Sequence, residues 1–120
     1  MQDKTVLVYD NNEEILRIIW LILASEYKQI ETYSSCENLF EDIDRVKPNI
    51  ILMDLLMPYC NGEKTIRLIR SNNKTSKIPV VVFSASANIE EITKELNVSA
   101  MLEKPFSIYQ LRETVRNYIA

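Results

Sequence analysis

Three runs in this chain, at 5–9, 50–53 and 80–83, are rich in β-branched and aromatic residues and show no polar alternation. Each stops at a short polar residue: Asp10, Asp54 and Ser84 in turn. Such runs are too short for amphipathic helices and fit strands covered on both faces, as parallel sheets require. Two weaker strands are predicted at 29–33, where Ile30 and Thr32 recur at period two, and at 100–103, closed by Lys104 and Pro105.

Between the strands the apolar spacing changes to three and four, the mark of helices. A first helix follows the polar residues 11–14 and runs to about residue 24 or 25. Asn11 or Asn12 serves as its cap, and Glu13 and Glu14 suit the positive end of the helix dipole. Ile15, Ile18, Ile19 and Ile22 form one face, expected to pack on the core. Leu16, Trp20 and Leu23 form a neighbouring face, which either flanks the core or is an exposed stripe for a partner helix or a second copy. Ser34 or Ser35 is expected to cap a second helix carrying Leu39, Phe40, Ile43 and Val46. A third helix after Gly62 carries Ile66, Leu68 and Ile69. A weak fourth, from about 88 to 96, has Ile89, Ile92 and Leu96 as its apolar positions. Ser107 caps a last helix with Ile108, Leu111, Val115 and Ile119 facing inward. Gly62 is the single glycine, so few turns are expected at positive φ, with Asn73 and Asn97 as candidates. Five strands alternating with five helices predict one α/β domain over 1–120, built on a parallel sheet with helices on both faces.

Composition narrows the chemistry. With 120 residues and 47% hydrophobic content there is material for one core. The net charge of -3 gives no basic footprint, so neither nucleic acid nor an anionic membrane is an expected partner. The chain has no histidine, which excludes Ser-His-Asp and Cys-His catalysis and removes the commonest transition-metal ligand. Cys36 and Cys60 stand in no metal-binding spacing, and no signal peptide or long apolar segment is present. They are expected to be reduced thiols in a cytoplasmic protein, with Cys60, in the loop after Asp54, a spectator rather than the reactive thiol that exposure would make it.

Asp54 alone is open to two readings: a residue capping the next turn, or an acid at the strand edge where open α/β sheets bind ligands. The other strand ends decide between them. Asp10, Asp54, Ser84 and Lys104 all fall at carboxyl ends of strands, and a doubly wound sheet brings those ends to one rim.

The motifs VLVYDNNEEI, IILMDLLMPYCNG, VVVFSAS and LEKPF, in that order and at those intervals, resemble the receiver domain of two-component response regulators over essentially the whole chain. The resemblance implies a flavodoxin-like, doubly wound five-stranded parallel sheet of order 2-1-3-4-5 with five helices. It implies that Asp54 is the phosphoacceptor, serving a sensor histidine kinase or a histidine phosphotransfer domain. Mg²⁺ is expected at Asp10, Asn11, Asp54 and the backbone carbonyl of Leu56. Ser84 is expected to bond the new phosphoryl oxygen and Lys104 to pair with it, with the bond from Lys104 to Pro105 cis. Moving a phosphoryl group between anions calls for a hard divalent cation and a fixed positive charge, which agrees with this set. Such a domain catalyses its own phosphorylation and slow dephosphorylation, and no independent turnover is expected.

Two positions depart from the family pattern. Asn11 stands where a second acid is usual. At about 4 Å and an effective dielectric near 20, a lost charge interaction is on the order of 4 kcal/mol, so weaker Mg²⁺ binding is expected. Met101 stands where a Tyr or Phe usually rotates inward, so coupling from Ser84 to the face of the fourth helix, fifth strand and fifth helix is expected to be altered. These departures motivate an alternative: a degenerate receiver acting as a constitutive protein-binding module. An aspartyl-phosphate hydrolase is disfavoured because Leu56 stands two residues beyond Asp54, where those enzymes carry a second acid. No output domain is recognised in the 120 residues, so the chain is either a stand-alone receiver or part of a longer protein.

Overall fold

The apolar runs become the central strands of one sheet. The structure, a computed structural model, describes residues 1–58, 60–85 and 89–120, with the backbone alone for Ile89 and Ile92. In chain order the elements are β1 (Gln2–Tyr9), α1 (Glu13–Leu23), β2 (Tyr27–Tyr33), α2 (Leu39–Val46), β3 (Ile50–Asp54), β4 (Leu56–Met57), β5 (Cys60–Asn61), α3 (Gly62–Ser71), β6 (Val80–Ser84), α4 (Ile89–Thr93), β7 (Ala100–Glu103) and α5 (Ile108–Tyr118). The main sheet has the order β2-β1-β3-β6-β7 with every neighbouring pair parallel. Counting its five strands alone, this is the predicted order 2-1-3-4-5. Ser86 of the VVVFSAS motif and the fourth-helix position Asn88 lie outside the described residues, as does Tyr59 in the Asp54 motif.

Continuous apolar strands feed two cores, because successive side chains leave opposite faces of a sheet. Leu7, Tyr9, Ile51, Met53, Val80 and Val82 enter one core with residues of α2 and α3. Val6, Val8, Ile50, Leu52, Val81 and Phe83 enter the other with residues of α1 and α5. Each fully covered Val, Leu or Ile contributes about 1.5–3 kcal/mol of burial, so two-sided packing is what holds these short strands.

The faces of α1 differ from expectation. Leu16 and Leu23 belong to the core, so the proposed exposed stripe of Leu16, Trp20 and Leu23 is corrected to a half-exposed Trp20 alone. Ile18, expected inside, is 53% exposed, and Leu21 is exposed as well. Both candidate stripes have helical spacing and are apolar, so periodicity cannot choose between them; packing against the sheet sets the rotation. On α5 Leu111 and Val115 are buried as predicted, while Ile108 is exposed. On α3 Ile66 and Ile69 are buried and Leu68 is exposed. The fourth helix is shorter than predicted, with Leu96 buried in the turn that follows it.

Local chemistry explains the boundaries. The Asn12 side chain caps α1 by accepting from the backbone N–H groups of Glu14 and Ile15. For α2 the expected serine caps give way to Asn38, whose side chain makes no capping bond. Ser35 instead accepts from the Glu37 backbone N–H, one turn early. Positive φ is taken by Asn97, as expected, and by Lys47, the C-cap of α2, rather than by Asn73. No helix among the described residues is long and apolar enough to cross a membrane.

Two features were not anticipated. The loop after Asp54 folds into a small antiparallel pair in which Leu56 faces Asn61 and Met57 faces Cys60. The expectation of two reduced thiols is also overturned, for Cys36 and Cys60 are joined as a disulfide with their Cα atoms 6.1 Å apart. The cause is topological: the loop entering α2 and the loop entering α3 are neighbours at the rim, although 24 residues separate the cysteines in sequence.

Candidate functional site

Parallel strands deliver their carboxyl ends to one rim, and four of the predicted residues lie there. Asp10 follows β1, Asp54 and Ser84 end β3 and β6, and Lys104 follows β7. Asp10, Asp54 and Ser84 are buried. Lys104 brings three of the four together: its Nζ donates to Asp10 Oδ2 at 2.8 Å and to Asp54 Oδ2 at 3.1 Å. The Lys104 side chain also passes the face of Phe83, with Nζ 5.4 Å from the ring centroid. The bond from Lys104 to Pro105 is cis, as expected. The Lys104 backbone N–H donates to the Ser84 carbonyl at 2.8 Å, which ties the end of β7 to the end of β6.

The other oxygens of the acids are held by backbone. Asp10 Oδ1 accepts from the Asn12 N–H at 2.8 Å, and Asp54 Oδ1 accepts from the Leu56 N–H at 3.1 Å. Leu56 thus enters the site as a donor, a contact the sequence did not signal. Its side chain is exposed, as is Asn11 at the mouth of the site. Asn12 is committed to capping α1, so Asn11 is the amide left for a cation.

Charge is unevenly matched here. Burial pushes the Asp54 carboxyl above its ordinary value; the Leu56 N–H and Lys104 pull it back, the charge of Asp10 adds to the rise, and burial prevails. For Lys104 burial works against the ammonium, but hydrogen bonds and charge from Asp10 and Asp54 outweigh it and raise its pKa. Two buried carboxylates sharing one ammonium leave the trio one negative charge in excess. Hard oxygen donors with surplus negative charge fit a small divalent cation. No group of three His, Cys, Asp or Glu side chains suited to a metal occurs among the described residues, in keeping with an amide at position 11.

Asp10 also owes its position to a polar cluster that the sequence did not reveal. Tyr9 stacks on Tyr33 with centroids 5.8 Å apart, and its buried hydroxyl donates to Asp42 Oδ2 at 2.7 Å. Arg45 donates to Asp42 Oδ1 at 3.0 Å, and the Asp10 backbone N–H donates to the Tyr33 carbonyl at 3.2 Å. Burial, followed by the bond to Asp42, raises the Tyr9 pKa. Tyr9→Phe leaves a buried carboxylate oxygen without its donor, so a loss of about 1–3 kcal/mol in urea unfolding is expected, and an unchanged midpoint would contradict this role.

A family model described as the response regulator receiver domain matches residues 6–116. The chain belongs to the response regulator receiver family. Among curated relatives of this receiver is the polar-differentiation response regulator DivK of Brucella anthropi, 30% identical over 120 residues that cover 97% of this chain and 96% of that one. A response regulator from Chloroflexus aurantiacus superposes with a TM-score of 0.89 at 21% identity, covering 98% of both chains. The receiver domain of the sensor histidine kinase PA1611 of Pseudomonas aeruginosa, solved with a magnesium ion coordinated in its active-site cleft, superposes at 0.85 with 20% identity, again covering 98% of both. At those identities the two structures speak to the receiver fold alone.

Proposed function

We propose that this receiver accepts a phosphoryl group on Asp54 from a phosphohistidine of a sensor kinase or phosphotransfer domain, and that the added charge alters its interaction surface. The observation that supports this best is the shared lysine: Asp54 and Asp10 meet one ammonium at 3.1 and 2.8 Å on the sheet's carboxyl edge.

The roles follow from the contacts. The Leu56 N–H and Lys104 fix both oxygens of Asp54, so the carboxylate is oriented before a donor arrives. Its raised pKa makes the carboxylate a better nucleophile than that of an exposed aspartate. Attack forms an O–P bond as the N–P bond to the donor imidazole breaks. Lys104 then has a phosphoryl oxygen to pair with in place of a carboxylate, and the Ser84 hydroxyl bonds another. Mg²⁺ held by Asp10, Asp54, the Leu56 carbonyl and the Asn11 amide oxygen would supply positive charge to the transferring oxygens. Incubation with acetyl phosphate and Mg²⁺ followed by intact mass tests the proposal. A phospho-adduct lost in Asp54→Asn supports it, and no adduct in the unaltered chain favours the constitutive binding module.

Restoring an acid beside Asp10 is expected to tighten the cation site. Asn11→Asp should bind Mg²⁺ on the order of tenfold more tightly by Trp20 fluorescence, since part of a full charge interaction is regained. Equal affinities would sink the idea that position 11 contacts the ion. The binding-module alternative draws on Met101, which is 38% exposed and accepts a hydrogen bond at its Sδ from the Thr93 hydroxyl at 3.3 Å.

The proposed docking surface is the Ile15 and Ile18 face of α1, next to the face that carries Trp20. Ile15, Ile18, Pro105 and Phe106 line an apolar groove of about 380 Å³ that also reaches Lys104. A partner helix seated there would bring its histidine toward the site. Ile18→Asp is expected to slow phosphotransfer from a partner several-fold by burying a charge at the contact, while uptake from acetyl phosphate stays the same. Loss of both rates together would argue against a docking role.

A further inference from the structure

An open cleft beside the site is lined by Asn11, Asn12, Ser34, Ser35 and Pro58. One wall is the loop leading into α2 and the other is the loop after Asp54. Cys36 follows directly on the first wall, and Cys60 lies two residues beyond Pro58 on the second. Their disulfide is therefore a covalent tie between the two walls, and its Cα separation of 6.1 Å lies inside the range that a disulfide spans without moving backbone. The two sulfurs differ in access. Cys36 is buried among the residues of the α2 and α3 core, whereas Cys60 is part-buried at its edge. The same loop supplies the Leu56 N–H that holds Asp54 Oδ1, and Cys60 pairs with Met57 in the small antiparallel pair.

We propose that Cys36 and Cys60 form a reversible dithiol–disulfide site, oxidised by a small disulfide of the glutathione class, whose closed form fixes the loop beside Asp54 and speeds phosphoryl uptake. The consequence for uptake rests on the reading of Asp54 as phosphoacceptor. In the exchange, the Cys60 thiolate attacks one sulfur of glutathione disulfide and releases one glutathione thiolate. The Cys36 thiolate then attacks Cys60 Sγ and releases the second. The protons lost by the two cysteines go to the two departing thiolates, so one glutathione disulfide becomes two glutathiones as the chain gains one disulfide. With the tie closed, the loop has fewer conformations in which Leu56 is away from Asp54, and the oriented carboxylate is more highly populated. Reduction returns that freedom.

The test uses the full chain equilibrated in glutathione buffers poised from reducing to oxidising. Intact mass after acid quench, hydrogen exchange at the Leu56 and Asn61 amides, and the rate of uptake from acetyl phosphate with Mg²⁺ are read in each. The expected result is loss of two hydrogens in oxidising buffer, with several-fold slower exchange and several-fold faster uptake. Cys60→Ser should behave as the reduced chain in every buffer, and Cys36→Ser should stop at the mixed disulfide with glutathione, with neither the slower exchange nor the faster uptake, which separates the effect of the bond from that of either side chain. In the unaltered chain, persistence of both thiols, arrest as a mixed disulfide, or equal exchange and equal uptake in the two states would overturn the proposal. Absence of uptake in both states would count against Asp54 as acceptor, and loop exchange alone would then decide the thiol site.

Discussion

Lys104→Met is expected to lower stability by about 3 kcal/mol at neutral pH and to suppress uptake of a phosphoryl group on Asp54 by orders of magnitude. The Lys104 side chain is 18% exposed and serves two acids that are themselves buried, so its removal strands like charges in a poorly solvated place. In a domain of this size such a loss lowers the thermal midpoint by roughly 12 °C. The pH dependence has a definite sign. Asp54 already sits above its ordinary pKa through burial, and loss of the lysine raises it further. The destabilisation is therefore greatest where Asp54 is ionised and shrinks as pH falls through its raised range. Lys104 is itself raised, so its contribution in the unaltered chain is complete below the ordinary lysine value of 10.5 and is lost as pH climbs past the folded value. Urea titrations of both chains between acid and neutral pH check this; a constant difference across that range would contradict it.

Gly62→Ala is expected to destabilise by about 1–3 kcal/mol and to slow uptake on Asp54 on the order of tenfold. A Cβ at position 62 would lie 2.5 Å from the Leu55 carbonyl oxygen and 3.1 Å from Leu55 Cα, both backbone atoms that cannot swing aside. Alanine gains roughly 1 kcal/mol of helix propensity over glycine in α3, which is the smaller quantity, so the clash should prevail. Leu55 joins Asp54 to the Leu56 N–H that holds its carboxylate, and the displacement reaches the nucleophile through that bond. Thermal unfolding together with uptake from acetyl phosphate checks this, and a midpoint equal to or above that of the unaltered chain would show that Leu55 yields freely.

Gly62 also shows what a sequence can and cannot convey. It is required for a close approach and not for positive φ, which falls to Lys47 and Asn97 among the described residues. The strand runs were legible because covering both faces demands apolar residues at every position, a pattern that few other structures tolerate. The strand-end residues were legible for the same reason: a polar residue that ends such a run must sit at the rim. The rotation of α1 was not, since two neighbouring stripes were both apolar and only the tertiary packing of Leu16, Ile19 and Leu23 separates them. The pairing of Cys36 with Cys60 and the bond from Tyr9 to Asp42 were hidden too, because contacts across loops and between elements leave no periodic trace.

The two-sided core has a consequence for alignment. Where one face of a sheet meets water, a one-residue slip exposes apolar side chains and buries polar ones, and polarity guards the register. Here a slip of β3 along β1 would only exchange one greasy layer for the other, since β3 is covered on both faces. What the slip would displace is Asp54, carried away from the lysine and the acid that share its charge. The residues proposed to do the chemistry thus also act as the sheet's alignment marks, so substitutions that make them apolar should loosen the strand pairing as well as silence the site.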